Sequence, residues 1–185
     1  MMRTVLSACL AFVIAVLATA TSARAEEALD AAVKATYLYK LAPFVDWPPA
    51  SFPAPDSPFD LCIVGDDPFG VVLDRAVAGQ KVAGHPIVIH RTPQAQRSLG
   101  CEMAFVAGSR SQSVKDALHQ LTGIPVLTVT DSQSSPGIVD FVADEGRIRF
   151  RIDDQAAAEN DLAISSKLLR LAMSVVPRRG GGEGR

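Results

Sequence analysis

Apolar runs typical of buried strands alternate with helix-like segments through the middle of the chain. The helix-like segments cover residues 68–78 and 111–121. The apolar runs occupy residues 59–64, 86–90, 102–107 and 125–130. Because strands separated by helices form βαβ units, this order predicts an α/β fold. We expect a three-layer arrangement, in which a mainly parallel, doubly wound sheet carries helices on both faces.

Both of these helices begin at residues that cap helices well. Asp67 is the predicted N-cap of the first helix, with Pro68 at its first position. Ser111 or Ser113 is the predicted cap of the second helix, which ends at Leu121.

An earlier helix is predicted over residues 27–42. Apolar side chains recur there at four-residue intervals, which is the spacing of one helix face: Leu29, Val33, Tyr37 and Leu41. Pro43 ends or kinks this helix, because proline lacks the amide that the next turn needs. Trp47 and Pro48 follow, and we expect this tryptophan to pack in the core.

The C-terminal part of the chain has a different pattern. Residues 138–142 and 147–152 flank a turn that contains glycine, which predicts an antiparallel hairpin. The second strand of this hairpin alternates strictly between apolar and basic positions. One face carries Ile148, Phe150 and Ile152, and the other carries Arg147, Arg149 and Arg151. We expect the basic face to be exposed to solvent or to contact a partner.

A long final helix is predicted after the hairpin, over residues 154–176. Leucine, isoleucine and valine recur there at helical spacing, and Pro177 follows them. The remaining residues, 178–185, form a Gly-rich tail that we expect not to pack.

The first 25 residues have the organisation of a secretory signal peptide. Arg3 is followed by an apolar run from Val5 to Leu17, and Ala23-Arg24-Ala25 has the small residues of a cleavage site. We therefore expect cleavage before Glu26, rather than retention of this segment as a membrane anchor. Residues 26–177 then form one domain in the periplasm.

Composition and charge exclude several classes of protein. The chain is 48% hydrophobic and 21% charged, so it is neither disordered nor fibrous. With 18 Lys+Arg against 20 Asp+Glu, it carries no basic excess of the kind that binds nucleic acid. We expect no nucleic-acid partner.

Two cysteines, Cys62 and Cys101, remain after removal of the signal peptide. In an oxidising compartment such a pair predicts a disulfide, and buried free thiols are the alternative. The first and third strands of a doubly wound sheet commonly pair, so we expect the strands at 59–64 and 102–107 to be neighbours, and the two thiols can then meet. Companion ligands at the usual spacings are absent from the sequence, so we expect no metal site.

Candidate chemistry is sparse. The segment from Gly65 to Gly70 occupies the first strand-to-helix loop, where doubly wound folds usually bind ligands. Asp66 and Asp67 in that loop are candidate ligand-binding residues, although turn and cap roles explain them equally well. Nucleotide-loop and hydrolase motifs are absent from the sequence. The sequence therefore predicts no catalytic residue and no cofactor, and indicates a binding or regulatory protein rather than an enzyme.

Several stretches, in the same order, resemble the YfiR family, also labelled DUF4154. The resemblance runs from about residue 33 to 175. It is carried by Val33–Lys40, Phe44–Pro48, Leu61–Gly70, Cys101, Pro125–Val129, Gly146–Phe150 and Ile164–Ala172.

This resemblance implies a periplasmic repressor. The family's best-known member holds an inner-membrane diguanylate cyclase inactive through the periplasmic sensor domain of that enzyme, and an OmpA-like outer-membrane lipoprotein sequesters it. That member has two disulfides and forms dimers. Cys62 and Cys101 match its first disulfide, whereas the second pair has no counterpart in this chain. The implied partners are a cyclase sensor domain or a related sensor kinase, the lipoprotein, and a second copy of the chain.

We expect docking through the hairpin, by Arg147, Arg149, Phe150 and Arg151. The alternative is a periplasmic receptor that binds a small ligand above the parallel strands and serves a sensor kinase or a transporter.

Overall fold

The computed structural model describes residues 28–132 and 134–179. The predicted signal peptide and residues 180–185 lie outside these ranges, so the structure does not bear on cleavage before Glu26. The described residues form ten strands and five α-helices, in addition to two short 3-10 turns.

The strands are β1 (Val45–Asp46), β2 (Phe59–Gly65), β3 (Lys81–Val82), β4 (His85–Thr92), β5 (Met103–Gly108), β6 (Leu127–Thr130), β7 (Val139–Asp144), β8 (Arg147–Asp153), β9 (Ala163–Ile164) and β10 (Ser174–Val176). The helices are α1 (residues 28–41), α2 (Val71–Val77), α3 (Val114–Leu121), α4 (Asp154–Glu159) and α5 (Ser166–Leu169). The 3-10 turns are Ala42–Phe44 and Pro49–Ser51.

Eight of these strands form one sheet in the order β10-β8-β7-β6-β5-β2-β4-β3. In the described residues its pairings are parallel except for β7 with β8 and β3 with β4. The chain enters at β2, places β4 on one side and then places β5 on the other. This doubly wound order confirms the predicted mainly parallel sheet and the predicted neighbours β2 and β5.

The two faces of the sheet bury two apolar clusters, because side chains alternate along each strand. Leu61 and Ile63 of β2 belong to the larger cluster, which also takes in α1 and α2. Cys62 and Val64 belong to the smaller cluster, which takes in α3. The arrangement in three complete layers stays a prediction.

Helix α2 begins later than the sequence predicts. Its first residue is Val71, and Gly70 precedes it, so Asp67 is not its N-cap and Pro68 is not its first residue. Asp67 instead accepts hydrogen bonds from the amides of Phe69 and Gly70, at 2.7 and 3.1 Å. The carboxylate therefore closes a turn ahead of the helix, which uses the same acceptor chemistry that made it a plausible cap. The prediction for α3 is confirmed, since Ser113 is its N-cap.

The predicted long final helix over 154–176 is wrong. Helix α4 ends at Glu159, and Asp161 adopts a left-handed conformation with φ +55° that no helix continues through. Asn160 donates to the carbonyls of Leu121 and Val126 and accepts from the amide of Gly123. These three bonds tie the residue to the connection between α3 and β6, because its side chain satisfies backbone groups that would otherwise be buried unpaired.

The rest of the predicted helix divides into β9, α5 and β10. Ile164 pairs with Val45 in a small antiparallel sheet, and Ser165 caps α5. The prediction that the tail from residue 178 does not pack is also wrong for its first two residues. Arg178 forms two hydrogen bonds with the carboxylate of Asp154, at 2.9 and 3.1 Å, and the amide of Arg179 donates to Gln155.

The predicted hairpin is present as β7 and β8. Glu145 and Gly146 form its turn, both with positive φ (+49° and +73°), as a tight two-residue turn between twisted strands requires. On the apolar face of the hairpin, Tyr37 of α1 packs on Phe141 and Phe150, with ring centroids 5.9 and 6.1 Å apart. Helix α1 therefore covers one face of the hairpin.

Candidate functional site

The opposite face of the hairpin is basic and exposed along β8, whereas Val142 and Asp140 of β7 on the same face are buried. Arg147, Arg149 and Arg151 are exposed, whereas the apolar residues between them are buried. Across β7 the three arginines lie beside Asp144, Val142 and Asp140. Within the part of the chain that the structure describes, none of the three forms an ion pair within 4.0 Å. We call these three residues the arginine face.

Asp140 is a buried carboxyl group at the side of the arginine face. Register places Thr130, Asp140, Arg151 and Ser174 in one row across four strands. Asp140 is 2% exposed; its Oδ1 accepts from the Thr130 hydroxyl at 2.8 Å, and its Oδ2 is buried without a partner. Burial raises the pKa of Asp140, and the hydrogen bond from Thr130 and the charge of Arg151 oppose that rise only in part.

Asp140→Asn is expected to become relatively more stable as pH rises. A carboxyl group whose folded pKa is raised binds more protons in the folded state, so the wild type loses stability as pH rises above the ordinary value of about 3.9. The variant lacks this loss, so the difference in unfolding free energy shifts in its favour towards neutral pH. Denaturant titrations across this range measure the difference.

Asp144→Asn, at the turn end of the same strand, is the control for this experiment. A difference between Asp140→Asn and wild type that stays constant with pH would show that burial does not perturb Asp140.

Phe150 lies away from the arginine face. It is 7% exposed and packs against Tyr37 on the opposite side of the hairpin. The alternation of the strand places it there, since neighbouring residues point to opposite faces. The structure therefore brings the three arginines together and separates them from the fourth residue of the predicted docking set.

The candidate ligand residues Asp66 and Asp67 lie far along the sheet, in the loop between β2 and α2. Arg91 donates from Nε to Asp67 at 2.7 Å, and from its terminal nitrogens to Asp74 and to the carbonyl of Gly70. Although burial acts to raise it, the pKa of Asp67 is lowered by the bonds from Arg91 and from two backbone amides. Asp67 is thus engaged in holding its own loop, whereas Asp66 is exposed.

Next to this loop, backbone atoms join the end of β2 directly to the end of β5. In a doubly wound sheet the ligand position lies where the strand order reverses, here between the ends of β2 and β5. The amide of Asp66 donates to the carbonyl of Gly108 at 2.7 Å, which joins the two loops directly. Gly65 has φ +91°, and a Cβ atom on it would overlap the carbonyl of Gly108. This contact continues the pairing of β2 with β5, so a ligand would bind above this backbone rather than between the two strands.

Cys62 and Cys101 form a disulfide, with Cα atoms 6.1 Å apart. Cys62 lies in β2, and Cys101 lies two residues before the neighbouring strand β5. The predicted bridge is therefore confirmed, and the alternative of two free thiols is wrong. Both residues are buried in the smaller apolar cluster.

Glu102 is a residue that sequence reasoning missed. It is 6% exposed; its Oε2 accepts from the amide of Asp60 at 2.7 Å, and its carbonyl accepts from the Trp47 indole at 2.9 Å. Burial raises the pKa of Glu102. The available signal was an acidic residue within an apolar run, since buried acids are rare unless paired. Trp47 itself is half-buried and packs edge-on against Phe59.

The histidines do not form a metal site in the described residues. His85 lies 2.6 Å from the carbonyl of Ser57, and His90 lies 2.7 Å from Asp60. Residues 28–132 and 134–179 hold no group of three His, Cys, Asp or Glu side chains arranged for a metal ion. Among the same residues, no helix has the length and apolar character needed to cross a membrane.

Comparison with known proteins places the chain in a family. The curated proteins include no sequence that matches it. The model of the YfiR/HmsC-like family matches residues 31–173, which include the strands β1 to β9, the disulfide and the hairpin. The chain therefore belongs to the YfiR/HmsC-like family.

Proposed function

We propose that this protein is a periplasmic regulator that represses an inner-membrane diguanylate cyclase through the periplasmic sensor domain of that enzyme. Repression lowers cyclic di-GMP signalling, and with it biofilm formation. Family membership supports the class of function. The observation that carries the docking site is the arginine face, where three exposed arginines lack ion pairs within the described residues.

Such a regulator needs no chemistry of its own. A protein that binds the inactive state of a cyclase better than the active state shifts the enzyme towards the inactive state by that difference in affinity. Each tenfold difference corresponds to about 1.4 kcal/mol. The regulator must therefore present a surface that discriminates between two conformations of its partner.

The arginine face suits an acidic partner surface. Arginine is enriched at protein interfaces, and charge complementarity gives both fast association and specificity. The arginines recur at every second residue of β8, so their Cα atoms are spaced about 6.8 Å apart along a rigid strand. The hairpin is held from behind by the packing of Tyr37 on Phe150. A partner would therefore meet a preorganised row of positive charges.

The rest of the proposal concerns location and assembly. The protein is exported by cleavage before Glu26, and an oxidising compartment suits the disulfide between Cys62 and Cys101. A homodimer and sequestration by an OmpA-like lipoprotein complete the proposal, both on the ground of family resemblance. The receptor alternative has less support, because Asp67 in the loop above β2 is held by Arg91 and by two backbone amides.

Reversing the charge of the arginine face is expected to abolish repression. Arg149→Glu combined with Arg151→Glu puts like charges against an acidic partner, which costs several kcal/mol in known interfaces. We expect binding to the purified sensor domain to weaken about a hundredfold. In cells, cyclic di-GMP should rise to the level of the gene deletion, while secretion stays unchanged. Because Arg151 lies opposite the buried Asp140, we expect a small loss of thermal stability in the same variant.

Arg75→Glu combined with Arg110→Glu is the matched control, because it makes the same charge change at exposed arginines outside the hairpin. If the Arg149 and Arg151 variant represses fully, the hairpin is not the docking surface. If deletion of the gene leaves cyclic di-GMP unchanged although the cyclase is present, the repressor function itself is wrong.

A further inference from the structure

A second feature of the molecule lies at the opposite end of the sheet from the hairpin turn. A cavity of about 270 Å³ opens between the Pro49–Ser51 turn and the segments that lead into β5 and β6. We call it the basal cavity. Its polar lining includes Ser51, Arg97 and Glu102, and its apolar lining includes Cys101, Ile124 and Val126.

Two opposite charges line the basal cavity without pairing. Neither Arg97 nor Glu102 forms an ion pair within 4.0 Å among the described residues. The one hydrogen bond from the Arg97 guanidinium goes from a terminal nitrogen to the carbonyl of Thr122, at 3.1 Å, among those same residues. The hydroxyl oxygen of Ser51 is buried and has no hydrogen-bond partner there. The cavity wall therefore carries an acidic and a basic side chain that are not paired with each other.

The charge of Glu102 is not needed for the fold. The Glu102 side chain accepts a hydrogen bond at Oε2 from the amide of Asp60. A glutamine side-chain oxygen would accept the same hydrogen bond. Burying a carboxylate costs free energy, and that cost appears here as a raised pKa. A buried charge that the fold does not require, at the wall of a cavity, indicates a role towards a ligand.

We propose that the basal cavity binds a small zwitterion, with its ammonium group on Glu102 and its carboxylate on Arg97. The apolar part of the ligand packs on Ile124 and Val126. The cavity has the volume of about nine water molecules, which limits the ligand to the size of a free amino acid. This site is separate from the arginine face and does not rest on the repressor function.

The single tryptophan of the chain reports on this site. The indole nitrogen of Trp47 donates to the backbone carbonyl of Glu102 at 2.9 Å, so a ligand on that residue changes the surroundings of the only indole. Tryptophan fluorescence of the full mature chain is titrated with each of a panel of free L-amino acids, including alanine, leucine and glutamate. Isothermal titration calorimetry on the same samples detects binding that leaves the fluorescence unchanged.

We expect at least one free amino acid to bind saturably. Its N-acetyl derivative lacks the ammonium group and its amide lacks the carboxylate, so each should bind about tenfold or more weakly. Glu102→Gln and Arg97→Gln should weaken binding to a similar extent. Glu102→Gln should melt at the same temperature as wild type or higher, which separates lost binding from lost structure.

Arg110→Gln, at an exposed arginine that does not line the basal cavity, is the control and should bind as wild type does. The proposal is overturned if neither method detects saturable binding across the panel. It is also overturned if the blocked derivatives bind as well as the parent amino acid, or if Glu102→Gln leaves the affinity unchanged.

Discussion

Gly65→Ala is expected to lower the free energy of unfolding by about 3–5 kcal/mol, or to prevent folding altogether. Gly65 has φ +91°, a conformation that disfavours any residue with a Cβ atom. The added Cβ would also overlap the carbonyl of Gly108, which is rigid backbone at the end of β5. Relief would require β2 and β5 to move apart at the centre of the sheet.

Gly84→Ala is the matched control for this change. Gly84 has nearly the same conformation, with φ +96°, but no atom lies within 4 Å of a Cβ built on it. Gly84→Ala should lower the free energy of unfolding by about 1 kcal/mol, which is the cost of placing alanine in this backbone conformation. Denaturant unfolding followed by Trp47 fluorescence measures both variants. Equal losses in the two would show that the contact between Gly65 and Gly108 is soft.

Loss of the disulfide is expected to have the second largest effect. Replacing both Cys62 and Cys101 by alanine should lower the free energy of unfolding by about 2–4 kcal/mol, because the bridge closes a loop of about forty residues in the unfolded chain. For a domain of this size the melting temperature should fall by about 4–16 °C. Calorimetry or circular dichroism measures the shift.

Wild type reduced with a thiol reagent is the comparison for this variant, since it loses the bridge without losing the side chains. Reduced wild type and the double alanine variant should melt close together. An unchanged melting temperature after complete reduction would contradict a stabilising role for the bridge.

Local patterns in the sequence were sufficient for the six longer strands, including the hairpin, but not for the short strands β1, β3, β9 and β10. The alternation of Arg147, Ile148 and Arg149 determines which side chains face the core, because successive residues of a strand point in opposite directions. The order of apolar runs and helices likewise determines a mainly parallel sheet, since parallel neighbours need long crossovers. The pairing of Cys62 with Cys101 followed once β2 and β5 were predicted to be neighbours.

The final helix shows where local patterns fail. Helical spacing of apolar residues over 154–176 is also met by two short helices and two strands, which bury Leu162, Ile164 and Leu168 but leave Leu171 and Val176 exposed. Two long-range contacts favour the shorter elements over one continuous helix. The side chain of Asn160 forms hydrogen bonds with the connection between α3 and β6, and Ile164 pairs with Val45. Neither partner is close in sequence, so no local signal could have indicated them.

The candidate sites divide in the same way. The sequence by itself determined the arginine face, because a single strand with period two is enough to align three side chains. Only the tertiary structure decided that Asp67 is held by Arg91, that the backbones of Gly65 and Gly108 are in close contact, and that Arg97 and Glu102 line one cavity. Those relations depend on how separate elements approach one another, and that approach is set by the packing of the whole core rather than by any one segment.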